Sequence, residues 1–300
     1  MTAQSKAENT PCHQPIQVLL AEGAALLRDA GVENPRREAR LLLQHALGLT
    51  PEAMLAFSAR ECVAAEPFLS WVGRRAQHEP FAYITGSKGF WSLDLSVSPA
   101  SLVPRGDTET LIAALMEQYP DRNAPLSFLD LGTGTGCIVL AALTEYPKAW
   151  GIGVDINAAA SRLAQENARR CNMATRALIM AGQWTEALSP HARFDVVFSN
   201  PPYIPTTDLD GLMDEVRLHE PVRALDGGSD GLEAYRHLCA RLPLLLRHNG
   251  VGIFEFGIGQ EPALRDIAAQ NGLEVVQVMP DLAGIARCIV LRQGLPSAGK

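Results

Sequence analysis

From residue 126 onward the chain alternates short apolar runs with longer amphipathic ones, and this constrains the fold more than any other feature. Strands are expected at 126–131, 150–155, 176–181, 194–199, 251–256, 273–279 and 285–292, and helices at 136–146, 158–171, 232–247 and 260–270. Runs such as Phe194-Asp-Val-Val-Phe-Ser199 are apolar almost throughout. Strands read that way when helices cover both faces of a parallel sheet. The last two runs are separated only by Pro280 to Gly284, too short for a parallel crossover but sufficient for an antiparallel return. The expectation is an α/β fold with a seven-stranded, mostly parallel sheet.

The N-terminal part has a different texture. Residues 1–14 are polar, lack an apolar leader segment and are expected to form a flexible tail. Residues 15–78 read as a small all-helical domain. Ile16, Leu19, Leu20, Ala24 and Leu27 fall on one stripe, Asn34-Pro35 and Thr50-Pro51 are helix starts, and a fourth helix is expected over 61–77. At His78-Glu79-Pro80 the pattern changes, and the apolar residues from Phe81 to Val97 suggest two short strands around a Gly86–Gly89 turn. Residues 79–104 are therefore expected to be a β-hairpin linker. Asp107 opens a helix through Met116, the α/β domain covers 105–292, and 293–300 is a second tail.

Composition excludes several classes. Hydrophobic residues make up 47% of the 300, too many for a disordered chain. The 26 Lys and Arg against 33 Asp and Glu leave a formal charge of -7, with no general basic patch for duplex nucleic acid. The six cysteines form no C-x-x-C pair and the seven histidines form no H-E-x-x-H, so neither a metal nor a disulfide framework is expected. No apolar run is long enough to span a membrane. A soluble, cytoplasmic protein is expected.

Two motifs carry chemistry. The first is Asp130-Leu-Gly132-Thr133-Gly134-Thr135-Gly136, where a strand turns into a helix. Glycines there permit positive φ and close backbone approach to a bound molecule. The spacing is G-x-G-x-G, and no G-K-[ST] follows to cradle a phosphate. The next strand ends in Asp155, placed to accept hydrogen bonds from both ribose hydroxyls of an adenosine moiety. The second motif is Asn200-Pro201-Pro202-Tyr203, directly after the apolar run 194–199. The prolines cannot continue a strand and stiffen the exit. A carboxamide and a proline carbonyl can accept both N–H groups of a planar nitrogen, and a tyrosine ring can pack on its plane. A nitrogen with a delocalised lone pair is a poor nucleophile. Orientation and electrostatics are what such a site can offer it.

The turn with Gly153-Val-Asp155 resembles the cofactor region of class I S-adenosylmethionine-dependent methyltransferases. That resemblance implies a Rossmann-like methyltransferase sheet. It also implies that Gly132, Thr133, Gly134, Thr135 and Gly136 lie along the cofactor, that Asp155 holds its ribose, and that Trp184 borders its adenine. Asn200 would face both cofactor and substrate. S-adenosylmethionine is the expected methyl donor, S-adenosylhomocysteine the product, and no metal is required. Asp130 would support the turn or meet the cofactor amine.

Asn-Pro-Pro-Tyr occurs in methyltransferases acting on adenine amino groups and in those acting on glutamine amides. Further segments narrow the choice: His78-Glu-Pro-Phe-Ala-Tyr-Ile-Thr-Gly86, Leu102-Val-Pro-Arg105-Gly-Asp107-Thr108-Glu109, Glu220-Pro221 through Leu232, Glu255-Phe-Gly257-x-Gly259-Gln260, and Asp281 through Arg287. Together with the N-terminal helices they are similar to the bacterial release-factor glutamine methyltransferases over about residues 15–292. This implies methylation of N5 of the glutamine in the Gly-Gly-Gln loop of class I peptide chain release factors. Asn200, Pro201 and Tyr203 would be catalytic, and Pro202 would join them in binding the substrate amide between two domains. The helical domain would help grip the release factor, with no membrane and no direct nucleic-acid role. Adenine-amine methylation stays open as the second reading. The chain departs from the family at Gly106, usually proline, and at Phe256, commonly isoleucine. Arg105 and Glu109 read either as positioning residues or as a helix-surface ion pair, Glu255 as a pocket acid or a structural carboxylate, and Asp281 and Arg287 as structural.

Overall fold

The computed structural model describes residues 13–186 and 188–294. They divide into two compact units: one runs to Thr85 and adds Asp214–His219, and the other comprises Gly86–Met213 and the residues from Glu220 on. Residues 1–12 of the first expected tail and 295–300 of the second lie outside the described residues.

The first unit is mostly helical. Strand β1 (His13–Pro15) leads into α1 (Ile16–Asp29), followed by α2 (Pro35–Ala46), α3 (Pro51–Ala56), β2 (Cys62–Ala64), α4 (Phe68–Ala76) and α5 (Phe81–Thr85). The expected α1 stripe is the core: Ile16, Leu19, Ala24 and Leu27 are buried with Leu42, Leu43, Phe68 and Val72. Thr50 caps α3, its Oγ1 accepting the Ala53 N–H at 3.2 Å. Asn34 makes no side-chain cap and instead takes a left-handed conformation before Pro35. The helix expected over 61–77 is split. Cys62–Ala64 pairs antiparallel with β1, and the helix begins only after Pro67, a residue favoured at a helix start and disfavoured in its interior. Phe81–Thr85 is a helical turn rather than a strand, because it starts directly after Pro80 and buries Ala82, Tyr83 and Ile84.

The second unit opens with the hairpin β3 (Ser87–Phe90) and β4 (Leu93–Ser96). Its turn is at Trp91-Ser92, not at Gly86–Gly89. Trp91 is held there by two hydrogen bonds of 2.7 Å, its backbone N–H to Glu109 and its ring N–H to Glu145. The hairpin therefore belongs to this unit rather than forming a separate linker. Its far edge is closed by one side chain. The buried Asn167 accepts the Ser96 N–H at 2.8 Å and donates to the Ser96 carbonyl at 2.9 Å and to the Thr135 carbonyl at 2.9 Å.

A short 3-10 turn (Gly106–Glu109) precedes α6 (Thr110–Gln118). Then come β5 (Ser127–Leu131), α7 (Cys137–Glu145), β6 (Trp150–Asp155), α8 (Ala158–Arg170), β7 (Ala177–Ala181) and β8 (Phe194–Ser199). After α9 (Asp214–His219), the chain continues through α10 (Glu233–Leu245), β9 (Leu246–Glu255), α11 (Glu261–Gln270), β10 (Leu273–Pro280) and β11 (Ala286–Gln293). The seven-stranded sheet has the order β10-β11-β9-β8-β5-β6-β7, with only β11 antiparallel to its neighbours. All seven expected strands are present. Alternation along β8 feeds two cores: Val196 and Phe198 join Phe128, Val139 and Ile253 on one face, while Val197 joins Leu129, Tyr235 and Phe254 on the other. Strand order reverses between β5 and β8, which puts a crevice above their C-terminal ends.

Candidate active site

The turn after β5 is an extension of the sheet. Gly132 and Thr133 both donate N–H to the Val154 carbonyl, at 2.9 and 3.0 Å. Gly132 and Gly134 have φ of 77° and 55°. A Cβ on Gly132 would meet nothing within 4 Å, and one on Gly134 only Ser101 Cβ at 3.7 Å. The turn thus leaves an open cradle in which side chains are missing. Gly136 differs: its Cβ would come 3.2 Å from Leu140 and 3.3 Å from Ala164, so it serves close packing of α7 on α8.

Two acids brace this turn. Asp130 is fully buried and accepts the Thr133 hydroxyl at 2.6 Å. Among the described residues its Oδ1 has no hydrogen-bond partner. Burial pushes its carboxyl up to about 7, against the opposing pull of the Thr133 and Val139 hydrogen bonds. It stands below the turn and does not line the cavity. Asp155 accepts Gly134 N–H on Oδ2 and Asn157 N–H on Oδ1, both at 2.8 Å. Burial raises its carboxyl too, with those backbone hydrogen bonds opposing.

The cradle opens into a cavity of about 530 Å³, a size suited to a nucleoside-containing ligand. Gly132, Thr133, Gly134, Thr135, Asp155 and Trp184 line it, as do Asn200 and Pro202. Gly136, Pro201 and Tyr203 do not. Trp184 sits at φ 46°, with its ring 5.8 Å from the His237 ring and tilted by 32°. Arg223, Glu233 and His237 complete the wall. Arg223 falls inside the Glu220–Leu232 segment and Glu233 directly follows it, while no motif marks His237.

Asn200 follows β8, whose last residue is anchored by the Ser199 hydroxyl donating to the Leu131 carbonyl at 2.7 Å. The Asn200 Nδ2 donates to Thr108 Oγ1 at 3.1 Å. The exit beyond it is clamped. Gln260 Nε2 donates to the Tyr203 carbonyl at 2.9 Å, and Ile204 bridges in parallel to Asp226. Gly227 packs so closely that a Cβ there would lie 2.8 Å from Tyr203 Cα. The Glu220–Leu232 segment thus braces the Pro-Pro-Tyr turn.

Tyr203 points its hydroxyl at the buried Glu255, donating to Oε1 at 3.2 Å. Burial, and then the Glu255 charge, push the tyrosine hydroxyl far above its ordinary range. Burial also raises Glu255, while the Thr108 and Tyr203 hydroxyls beside it and Arg287 favour its charged form. Among the described residues Glu255 Oε2 has no hydrogen-bond partner. Arg105 lines the cavity and is hydrogen-bonded to Glu220, which also accepts the Val103 N–H at 3.1 Å. Glu109 holds Trp91 rather than pairing with Arg105. Asp281 gathers the N–H groups of Ala283 and Ile285 and the Arg287 guanidinium, which fixes the last hairpin.

Comparison with known proteins follows the same division. Residues 18–86 match the family described as PrmC N-terminal domain, and 107–228 match the methyltransferase small domain. A release factor glutamine methyltransferase of Rhodospirillum rubrum is 43% identical over 277 residues, covering 92% of this chain and 84% of the relative. One of Caulobacter vibrioides is 40% identical over 266 residues, covering 88% of this chain and 91% of the relative. Among solved structures, the hMettl16 catalytic domain superposes with a TM-score of 0.55 at 12% identity, covering 80% of this chain and 87% of that one. A Pyrococcus furiosus methyltransferase gives 0.51 at 17% identity, covering 69% and 92%. These two share the fold.

Proposed function

The chain belongs to the release factor glutamine methyltransferase family, and on that premise we propose that it methylates N5 of the glutamine side chain in the Gly-Gly-Gln loop of class I peptide chain release factors. The methyl donor is S-adenosylmethionine, which the methyltransferase domain implies. Asn200 carries this reading. It stands on the wall of the cavity that the glycine turn and Asp155 also line, with Nδ2 bonded to Thr108. Its Oδ1 is left as an acceptor.

The residues present fit the donor. Gly132 and Gly134 supply a cradle that any Cβ would fill, and Asp155 has lone pairs left for ribose hydroxyls beyond the two backbone bonds it accepts. Trp184 offers a flat apolar face for a purine. When bound, S-adenosylmethionine supplies a methyl group on a positive sulfur, an electrophile that needs no further activation.

The chain's own task is to present the nitrogen. Asn200 Oδ1 and the Pro201 carbonyl accept the two N–H groups of the substrate amide, and Tyr203 packs against its plane. Clamping of the 200–204 backbone by Gln260 and Gly227 keeps those acceptors in place at no cost during reaction. As the nitrogen gains a bond its protons become acidic, and the same two acceptors stabilise the growing positive charge. No strong base is needed, since the proton can leave after transfer. Among the described residues no helix is long and apolar enough to cross a membrane.

Incubation of the protein and S-adenosylmethionine with each class I release factor, followed by peptide mass spectrometry, tests this function. One added methyl on the Gly-Gly-Gln glutamine is the expected outcome. Unmodified release factor beside methylated adenine in a nucleic-acid control would overturn it.

A further inference from the structure

The two ends of an asparagine carboxamide are nearly equal in size, so shape alone does not decide which faces a ligand. In a site that must accept N–H bonds, a flipped Asn200 would present donors to donors. Something has to fix the sense of the amide. We propose that Thr108 does so, with Glu255 setting the direction of its hydroxyl, and that both are positioning residues acting through Asn200. The proposal rests on the role of Asn200 given above.

The argument follows protons along a short chain. A carboxylate only accepts hydrogen bonds. Glu255 is 2% exposed, and the hydroxyls of Thr108 and Tyr203 lie beside it. Tyr203 therefore donates to Oε1, at 3.2 Å. Among the described residues Oε2 is a buried acceptor with no hydrogen-bond partner, Thr108 included, so it is the site left open on that carboxylate. Thr108 is 2% exposed and has a single hydroxyl proton. Among the described residues the hydroxyl's one hydrogen bond is the one it accepts from Asn200; in the proposal the hydroxyl proton turns toward the Glu255 carboxylate, so that the oxygen presents lone pairs to Asn200. The Asn200 group within reach, at 3.1 Å, must then be Nδ2, and Oδ1 is the end left for the substrate. One buried carboxylate on β9 thus orders the acceptor and the tyrosine of the same motif. Glu255 itself does not line the cavity, so it acts only through these neighbours.

Replacing Thr108 with valine removes the hydroxyl and keeps the shape. Replacing Glu255 with glutamine supplies an N–H that can reverse the chain and turn the Asn200 amide. Single-turnover methyl transfer to a release factor is measured alongside calorimetric binding of S-adenosylhomocysteine. Thr108→Val is expected to slow transfer by about 30-fold, with cofactor affinity changed by less than about 3-fold, and Thr108→Ser to restore most of the rate. In an Asn200→Ala background, Thr108→Val should change the rate by less than about 2-fold, because the residue it orients is gone. A Thr108→Val enzyme at the wild-type rate overturns the proposal, as does an equal loss for serine and valine. Equal slowing in the presence and absence of Asn200 overturns it too. Thermal unfolding reports whether Thr108→Val folds. If it does not, Glu255→Gln carries the same double-variant comparison. A wild-type enzyme that leaves release factors unmodified defeats the functional reading, whereas an active wild type with indifferent variants defeats only the positioning role.

Discussion

Gly134 donates its backbone N–H to Asp155 Oδ2 at 2.8 Å, so the acid ending β6 holds the turn that ends β5. The carboxylate is a strut, and in the proposed function it is also the ligand of the cofactor ribose. Asp155→Ala removes both functions and is expected to cost about 1–3 kcal/mol of S-adenosylhomocysteine affinity. Asp155→Asn keeps one acceptor oxygen and should lose less. Titration calorimetry on the three proteins checks the order, and unchanged binding by the alanine variant would remove Asp155 as the ribose anchor.

Asn200→Ala separates transfer from binding. Loss of one oriented acceptor should lower the single-turnover rate on the order of 100-fold, or roughly 3 kcal/mol. Cofactor affinity should change much less. A variant that transfers normally but binds cofactor poorly would assign Asn200 to the cofactor instead.

Asp130 gives a pH signature. Its carboxyl is raised by burial to about 7 in the folded chain, so folding favours its protonated form. That contribution is complete below the ordinary carboxyl value of 3.8 and is lost as pH rises through about 7. Asp130→Asn lacks this loss. Urea unfolding at about pH 5 and about pH 8 should show the asparagine variant gaining on the wild type as pH rises. A pH-independent difference would mean that Asp130 does not titrate in this range.

Gly106 begins the 3-10 turn that enters α6, where an N–H has no helical partner. Arg105 before it has φ -101° and ψ 147°, the extended conformation that a following proline demands. A Cβ at Gly106 would meet nothing within 4 Å. Gly106→Pro is therefore expected to stabilise the protein by about 0.5–1 kcal/mol through the unfolded chain. A melting temperature that falls would show that this turn needs the freedom of glycine.

The α/β part was legible because its signals are local. Each strand is a near-continuous apolar run, and the short Pro280–Gly284 link announces the antiparallel return seen between β10 and β11. The N-terminal errors arose where partners distant in sequence decide the outcome. Cys62–Ala64 looks helical until β1 is there to pair with it. The hairpin turn sits at Trp91 rather than at the glycines because Glu109 and Glu145 hold the Trp91 backbone and ring. At the site, the motifs pointed to Gly132, Asp155 and Asn200, which the structure brings onto the wall of one cavity. Spacing gave no hint of His237, which reaches the cavity from α10, nor of a wall position for Arg223 itself, although that residue lies inside the Glu220–Leu232 segment. Nor could it show that Gly136 packs helices while Gly132 opens a cradle, since the difference lies in what a Cβ would touch.

The Asn167 amide occupies the place of a third strand beside the hairpin, satisfying both the N–H and the C=O of Ser96. An isolated two-stranded ribbon is marginal in water, and an open edge invites foreign chains. One carboxamide here supplies a single rung and blocks that edge to further pairing at the same residue. Because its remaining N–H ends on Thr135, inside the glycine turn, the ribbon and the turn share one fastening. Local unfolding of the hairpin would therefore release the glycine turn with it. Amide hydrogen exchange at Ser96 should slow when a ligand fills a cavity that never touches it.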